Sequence, residues 1–205
     1  MRRLWLLLAG LVLVVAACGE RAPARFNNTD ISGAEFGRSL AGLADAHGKA
    51  VTLADFKGQA LIVFFGYTSC PDVCPTSLAR FAAVKQALGK DASRLQVLLI
   101  TLDPERDTPE KLGAYVSAFD PSFIGLTGDL PAIEATAREF KVFFARSKAA
   151  GADAHGHDHG DHGYTIDHSA GAYVFDPAGR IRLYVKDDAP VDALAADVKL
   201  LLAGK

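Results

Sequence analysis

The sequence predicts an α/β domain: a central mixed sheet flanked by helices on both faces. Two unbroken apolar runs, ALIVFFG at 60–66 and LQVLLIT at 95–101, have the composition of strands buried on both sides. Each is followed by a stretch whose apolar residues recur at helical spacing. Late in the chain, AYVFDPAGRIRLYV is a pair of alternating segments around a turn, which reads as a hairpin.

In chain order, VTLADFKG from Val51 reads as a short strand and turn, and 60–66 as a central strand. From Val73 to Leu88 the apolar positions Leu78, Phe81, Ala82, Val84, Ala87 and Leu88 alternate with polar ones, as in a helix lying on a sheet. Pro75 falls in an early turn, where its missing N–H costs little. After the second buried strand, Thr108 is placed to cap a helix with Pro109 at its first position. FIGLTG is a third strand candidate, followed by a helix from about Leu130 to near Phe140. KVFFARS fits either an edge strand or a segment beside the helix. The hairpin turns on Asp176, Pro177, Ala178 and Gly179, and a last helix runs from about Val191 to Leu202. This order is compatible with a thioredoxin-like fold, and the pattern shows no internal repeat and no second domain.

The N-terminus carries a separate signal. Arg2 and Arg3 precede an apolar run from Leu4 to Ala17, too short to span a bilayer comfortably but suited to an export signal. Val15, Ala16, Ala17 and Cys18 look like a bacterial lipobox, with residues 1–17 removed and Cys18 lipidated. The plainer alternatives are an ordinary cleaved signal with an incidental cysteine and an uncleaved anchor. Residues 18–35, poor in large apolar side chains, read as a flexible tether, and 36–205 as one domain large enough for a real core. With 22 basic and 24 acidic residues and no basic stripe, the chain is not a nucleic-acid binder.

Cys70 and Cys74 then become the only thiols of the folded domain. They stand between a buried strand and a helix, where free N–H groups and the positive end of the helix dipole favour thiolate. Four residues apart, they can share one helical face if the helix begins at Cys70 or just after it, and so hold one disulfide or one soft metal ion. His168, in YTIDHSAGAYVFD, lies on a loop entering the sheet in this reading. It is either a third, nitrogen ligand or a local hydrogen-bonding residue. Two thiolates and an imidazole suit a thiophilic ion, with Cu(I) first and Cu(II) next. Asp103 and Asp107, in TLDPERDTPE at the end of a buried strand, either support such a site from behind, or face a partner, or merely hold the turn. Asp107 reads more as a turn residue. AHGHDHGDHG supplies His155, His157, His159 and His162, an inserted His-rich loop that either binds divalent metal weakly or is a tolerated polar insertion.

GYTSCPDVCPTSL, TLDPERDTPEKL and YTIDHSAGAYVFDP, in that order, resemble the bacterial Sco/SenC family of copper chaperones from about Ala34 to the last helix. The resemblance places that family's copper-binding cysteines on Cys70 and Cys74 and its histidine on His168. It implies a thioredoxin-like domain on the periplasmic face of the inner membrane that delivers copper to the binuclear centre of cytochrome c oxidase subunit II. An upstream periplasmic copper donor and a thiol reductant would be further partners. The competing expectation is a thiol–disulfide reductase attacking through Cys70 and resolving through Cys74. Against it, the spacing is CxxxC rather than CxxC, and Asp167 and His168 stand where such reductases place a cis-proline.

Overall fold

The computed structural model describes residues 25–148 and 164–205. Cys18, the expected signal and the whole of the His-rich tract, 154–163, therefore lie outside the described residues. The elements are β1 (Thr29–Asp30), β2 (Ala60–Gly66), α1 (Val73–Ala87), β3 (Leu95–Thr101), α2 (Pro109–Ser117), β4 (Ile124–Leu126) and α3 (Leu130–Glu139), followed by β5 (Phe144–Lys148), β6 (Tyr164–His168), β7 (Ala172–Phe175), β8 (Ile181–Val185) and α4 (Val191–Leu202). Six strands form one mixed sheet in the order β1-β8-β7-β2-β3-β4. In it β2, β3 and β4 run parallel, whereas β7, β8 and β1 join antiparallel. β5 and β6 pair antiparallel as a sheet of their own.

Every residue of β2 and β3 is buried, which is why neither run alternates with polar residues. Alternation along β2 sends neighbouring rings to opposite faces. Phe64 meets Phe81 of α1 at 5.7 Å, whereas Phe65 meets Phe140, just beyond α3, at 5.3 Å. Phe140 also packs on Tyr173 and Phe175 of β7, so one aromatic cluster ties the second face together. Truncating either β2 phenylalanine to alanine is in the class of core changes that cost about 3–5 kcal/mol.

The caps follow the sequence closely. Thr108 accepts the Lys111 N–H at the start of α2 and Asp129 accepts the Ala132 N–H at the start of α3. The hairpin turn closes with Gly179 at φ 79, a left-handed position that favours glycine, and with Asp176 accepting from Ala178 and Arg180.

Two expectations need correction, and one open reading is decided. VTLADFKG is not a strand: Asp55 reaches back to the Thr52 N–H at 2.7 Å, and Leu53–Phe56 coil into a single 3₁₀ turn. KVFFARS resolves into strand β5, paired with β6 rather than with the main sheet. The later half of the expected tether is held on the domain. Fully buried Asp197 of α4 accepts from the backbone and side-chain N–H groups of Asn27 and Asn28, and β1 then pairs with β8. A composition poor in apolar residues concealed this attachment because it is made by amide hydrogen bonds.

The parallel register Gly66↔Thr101 brings β2 and β3 to an end side by side, and the Leu102 N–H bonds the Gly66 carbonyl at 2.8 Å. The loops that follow both strands therefore emerge together, at the strand ends where open sheets collect their sites.

Candidate metal centre

The first arm of the site is the loop from Tyr67 to Asp72. Its course is fixed by Asp107, which is fully buried and accepts the Thr68 N–H at 3.0 Å, the Thr68 hydroxyl at 2.5 Å and the Thr101 hydroxyl at 2.7 Å. The helix begins at Val73, three residues beyond Cys70, so the two cysteines do not share a helical face as the spacing allowed. Cys74 sits in the first turn and Cys70 precedes it. The Asp72 side chain makes no cap hydrogen bond; instead the Cys70 sulfur accepts the Cys74 N–H at 3.4 Å.

The two sulfurs differ in kind. Cys74 is fully buried and Cys70 half-buried, and both are free. The Cys74 thiol bonded to Cys70 holds the Cys70 thiol down to about 3, with further lowering from His168 and from the Asp72 and Cys74 N–H groups against the opposing effect of burial. The same bond, with burial and the adjacent Cys70 charge, pushes Cys74 far up. At neutral pH the metal-free pair therefore carries one thiolate, on Cys70, and one thiol, on Cys74.

Room for the Cys74 sulfur comes from Gly66. A Cβ built on Gly66 would lie 2.7 Å from Cys74 Sγ. An isolated glycine closing an otherwise apolar strand is the signal that marks such a close approach.

The second arm is β6. His168 is its last residue, paired with Phe144, so it stands on a strand and not on the expected loop. Its Nδ1 lies 3.0 Å from the Ser169 carbonyl, which can only accept, so Nδ1 carries a proton; Nε2 lies 3.6 Å from Cys74 Sγ. Phe64 and Tyr67 meet the imidazole edge to face, with ring centres 6.4 and 6.1 Å away.

The sulfurs of Cys70 and Cys74 and a ring nitrogen of His168 all lie within 4.8 Å of one another. Two sulfurs bonded to one ion at about 2.3 Å are at most about 4.6 Å apart, so the trio fits one ion with little adjustment. A groove of about 320 Å³, lined by Tyr67, Cys70, Pro71 and His168 among others, opens the site to solvent, with Cys74 buried beneath. This donor set suits a soft ion.

Asp103 and Asp107 are both fully buried, which rules out a partner-facing role. Neither belongs to the ligand trio. Asp107 holds the cysteine loop, and Asp103 accepts from the Tyr164 hydroxyl at 2.7 Å and from Arg106. Sequence reasoning passed over Gly66, Tyr67, Thr68, Thr101, Arg106, Tyr164 and Ser169, whose parts are set by tertiary contact. His155, His157, His159 and His162 lie outside the described residues.

The family model described as SCO1/SenC matches residues 32–203. An SCO2-like protein of Rickettsia felis is 36% identical over 153 residues, covering 74% of this chain and 71% of its own. Among solved structures, Bradyrhizobium japonicum ScoI with copper bound is 39% identical, with a TM-score of 0.66 over 78% of this chain and 95% of its own. Arabidopsis thaliana ScoI with copper bound is 28% identical, with a TM-score of 0.69 over 87% of this chain and 99% of its own.

Proposed function

Since the chain belongs to the SCO1/SenC family, we propose that it binds copper through Cys70, Cys74 and His168 and hands it to the binuclear centre of cytochrome c oxidase subunit II. The observation that carries this reading is the convergence of two sulfurs and one imidazole nitrogen within 4.8 Å at the mouth of a groove. The copper-bound ScoI structures of B. japonicum and A. thaliana support copper as the cargo. Two thiolates and a neutral nitrogen favour Cu(I), and Cu(II) would use the same set with an added oxygen ligand. Delivery to subunit II, an upstream periplasmic donor and a thiol reductant follow from the family resemblance. Among the described residues no helix is long and apolar enough to cross a membrane. In this reading the lipid on Cys18 would hold the domain at the periplasmic face of the inner membrane.

The burial pattern suggests an order for the handoff. Cys70 and His168 line the groove, so ligands of the acceptor reach copper from that side and displace them first; Cys74, beneath, lets go last. Cu(I) binding at neutral pH displaces the proton of Cys74, since Cys70 is already a thiolate.

The accessible Cys70 thiolate also favours a second reading, reduction of a partner's disulfide. Anaerobic Cu(I) titration of the reduced protein against a strong chelator separates the two. The expected result is one tight equivalent, abolished in Cys70→Ser or Cys74→Ser and weakened by about 10-fold or more in His168→Ala. A tight site indifferent to His168, with disulfide turnover that needs both cysteines, would replace the chaperone reading by the reductase one.

A further inference from the structure

The strand that carries His168 shares no sheet pairing with the rest of the domain: among the described residues, β5 and β6 pair only with each other. The placement of the imidazole over Cys74 must therefore come from other contacts. Most of them come from the segment 103–106, with Tyr67 and the burial of Ile166 beside it. The Arg106 guanidinium lies 3.8 Å from the centre of the Tyr164 ring and donates through Nη1 to the Tyr164 carbonyl at 3.2 Å. Its Nε donates to Asp103, which also accepts from the Tyr164 hydroxyl. Glu105 pairs with Arg146 of β5 at 2.7 Å, and the Tyr67 hydroxyl accepts the Ile166 N–H at 3.2 Å.

Arg106 is the centre of this grip. Its side chain is only 7% exposed, and Nη2 is buried without a hydrogen-bond partner among the described residues. A buried guanidinium with one nitrogen unpaired is costly to maintain, and the contacts it does make all serve the start of β6 or the residue that holds it. The guanidinium also lies 5.9 Å from the ring centre of Tyr67, whose own ring abuts His168.

We infer that Arg106, through Asp103 and Tyr164, is the positioning residue that sets the His168 arm against the cysteine arm. The inference rests on the copper-binding reading above and assigns Arg106 no contact with the metal. With the grip intact, Nε2 is presented to Cys74 before copper arrives. With the grip lost, β5 and β6 keep their own pairing but swing relative to Cys70 and Cys74, and the imidazole is no longer preorganised.

The test is a double-mutant cycle with a metal-free arm, on the full chain. Arg106→Met keeps the length of the side chain and removes its fork and charge. Anaerobic Cu(I) affinity of Arg106→Met should fall about 10–100-fold, the range for losing an outer partner of a metal ligand. In a His168→Ala background the same change should alter affinity by no more than about twofold, because the arm it positions no longer carries a ligand. In the metal-free protein, hydrogen exchange at the Ile166 amide, which the Tyr67 hydroxyl accepts from outside the β5–β6 pair, should quicken by about 10-fold while the β2 and β3 amides stay unchanged. Tyr164→Phe, which removes only the hydroxyl that Asp103 accepts, should repeat the pattern at smaller size, and it carries the test if Arg106→Met does not fold. An equal affinity loss with and without His168, or unchanged exchange in β6, overturns the inference. If His168→Ala alone leaves affinity unchanged, the ligand set proposed above fails, and the exchange arm still decides whether Arg106 holds the β5–β6 pair.

Discussion

The cysteine arm and the histidine arm meet at one point but are held in different ways. The cysteine loop continues directly from β2, whose residues are all buried and which lies between β3 and β7, and Asp107 binds it to the end of β3. The histidine arm is a two-stranded sheet fastened to the rest by side chains: Arg106, Tyr164, Tyr67 and Arg146, with Ile166 of β6 buried in the core. Half the site is therefore as rigid as the core, and half is only as rigid as a few side-chain contacts. In the proposed handoff, this makes His168 the more easily released of the two ligands that line the groove, with Cys74 the most firmly held.

The difference is tested most severely at Asp107. Asp107→Ala leaves the Thr68 N–H and the Thr68 and Thr101 hydroxyls without their acceptor. At about 1–3 kcal/mol for each unsatisfied buried group, partly relieved by solvent entry, the domain should lose about 3 kcal/mol by urea denaturation. The effect should appear in global stability and Cu(I) affinity together, because the cysteine arm belongs to the core. Loss of affinity with unchanged stability would show instead that this arm, like the other, is a separable attachment.

Gly66→Ala should cost somewhat less, about 1–3 kcal/mol, as an added methyl in a packed core. Its Cβ would press on Cys74 Sγ at 2.7 Å, Phe64 at 3.2 Å and Leu99 at 3.3 Å. Displacement of Cys74 should reduce Cu(I) affinity in the same variant, measured by chelator competition. Full affinity in a folded Gly66→Ala protein would mean that the sulfur has room the structure does not show.

The same contrast governs what was legible in the sequence. β2, β3 and α4 are legible to the residue because burial on a sheet or a helical period is written in consecutive side chains. Cys70 and Cys74 stood out because two thiols flank one turn. His168 was recognisable as a candidate, but its strand was not, since β6 is short, half-exposed and paired with a segment that itself fitted two readings. Arg106 and Tyr164 lie 58 positions apart and meet only when the chain is folded, so no local pattern announces them. Asp107 looked like a turn residue, and it does hold a turn; that the turn belongs to the cysteine loop is a tertiary fact.

The smallest effect expected is a near absence of change. In the metal-free reduced protein Cys70 is held at about 3, chiefly by the Cys74 thiol, while Cys74 is pushed up by the same bond and by burial. For Cys70, lowered below an ordinary thiol, the stabilisation that accompanies the shift is fully present above the unfolded value and is lost as pH falls through the folded one; Cys74, raised, contributes with the opposite sign. Between about pH 5 and 7 neither group then changes its charge. Iodoacetamide should label Cys70 at rates that agree within about twofold at the two ends of this window. An ordinary thiol near 8.5 would slow about 100-fold, because its thiolate fraction falls tenfold per pH unit. Titration with Cu(I) at pH 7 should correspondingly release about one proton per copper, from Cys74, rather than two. A steep fall in labelling toward pH 5 and release of two protons would mean that both cysteines wait as thiols, and that the cysteine arm, however well fixed in position, is not prepared in charge.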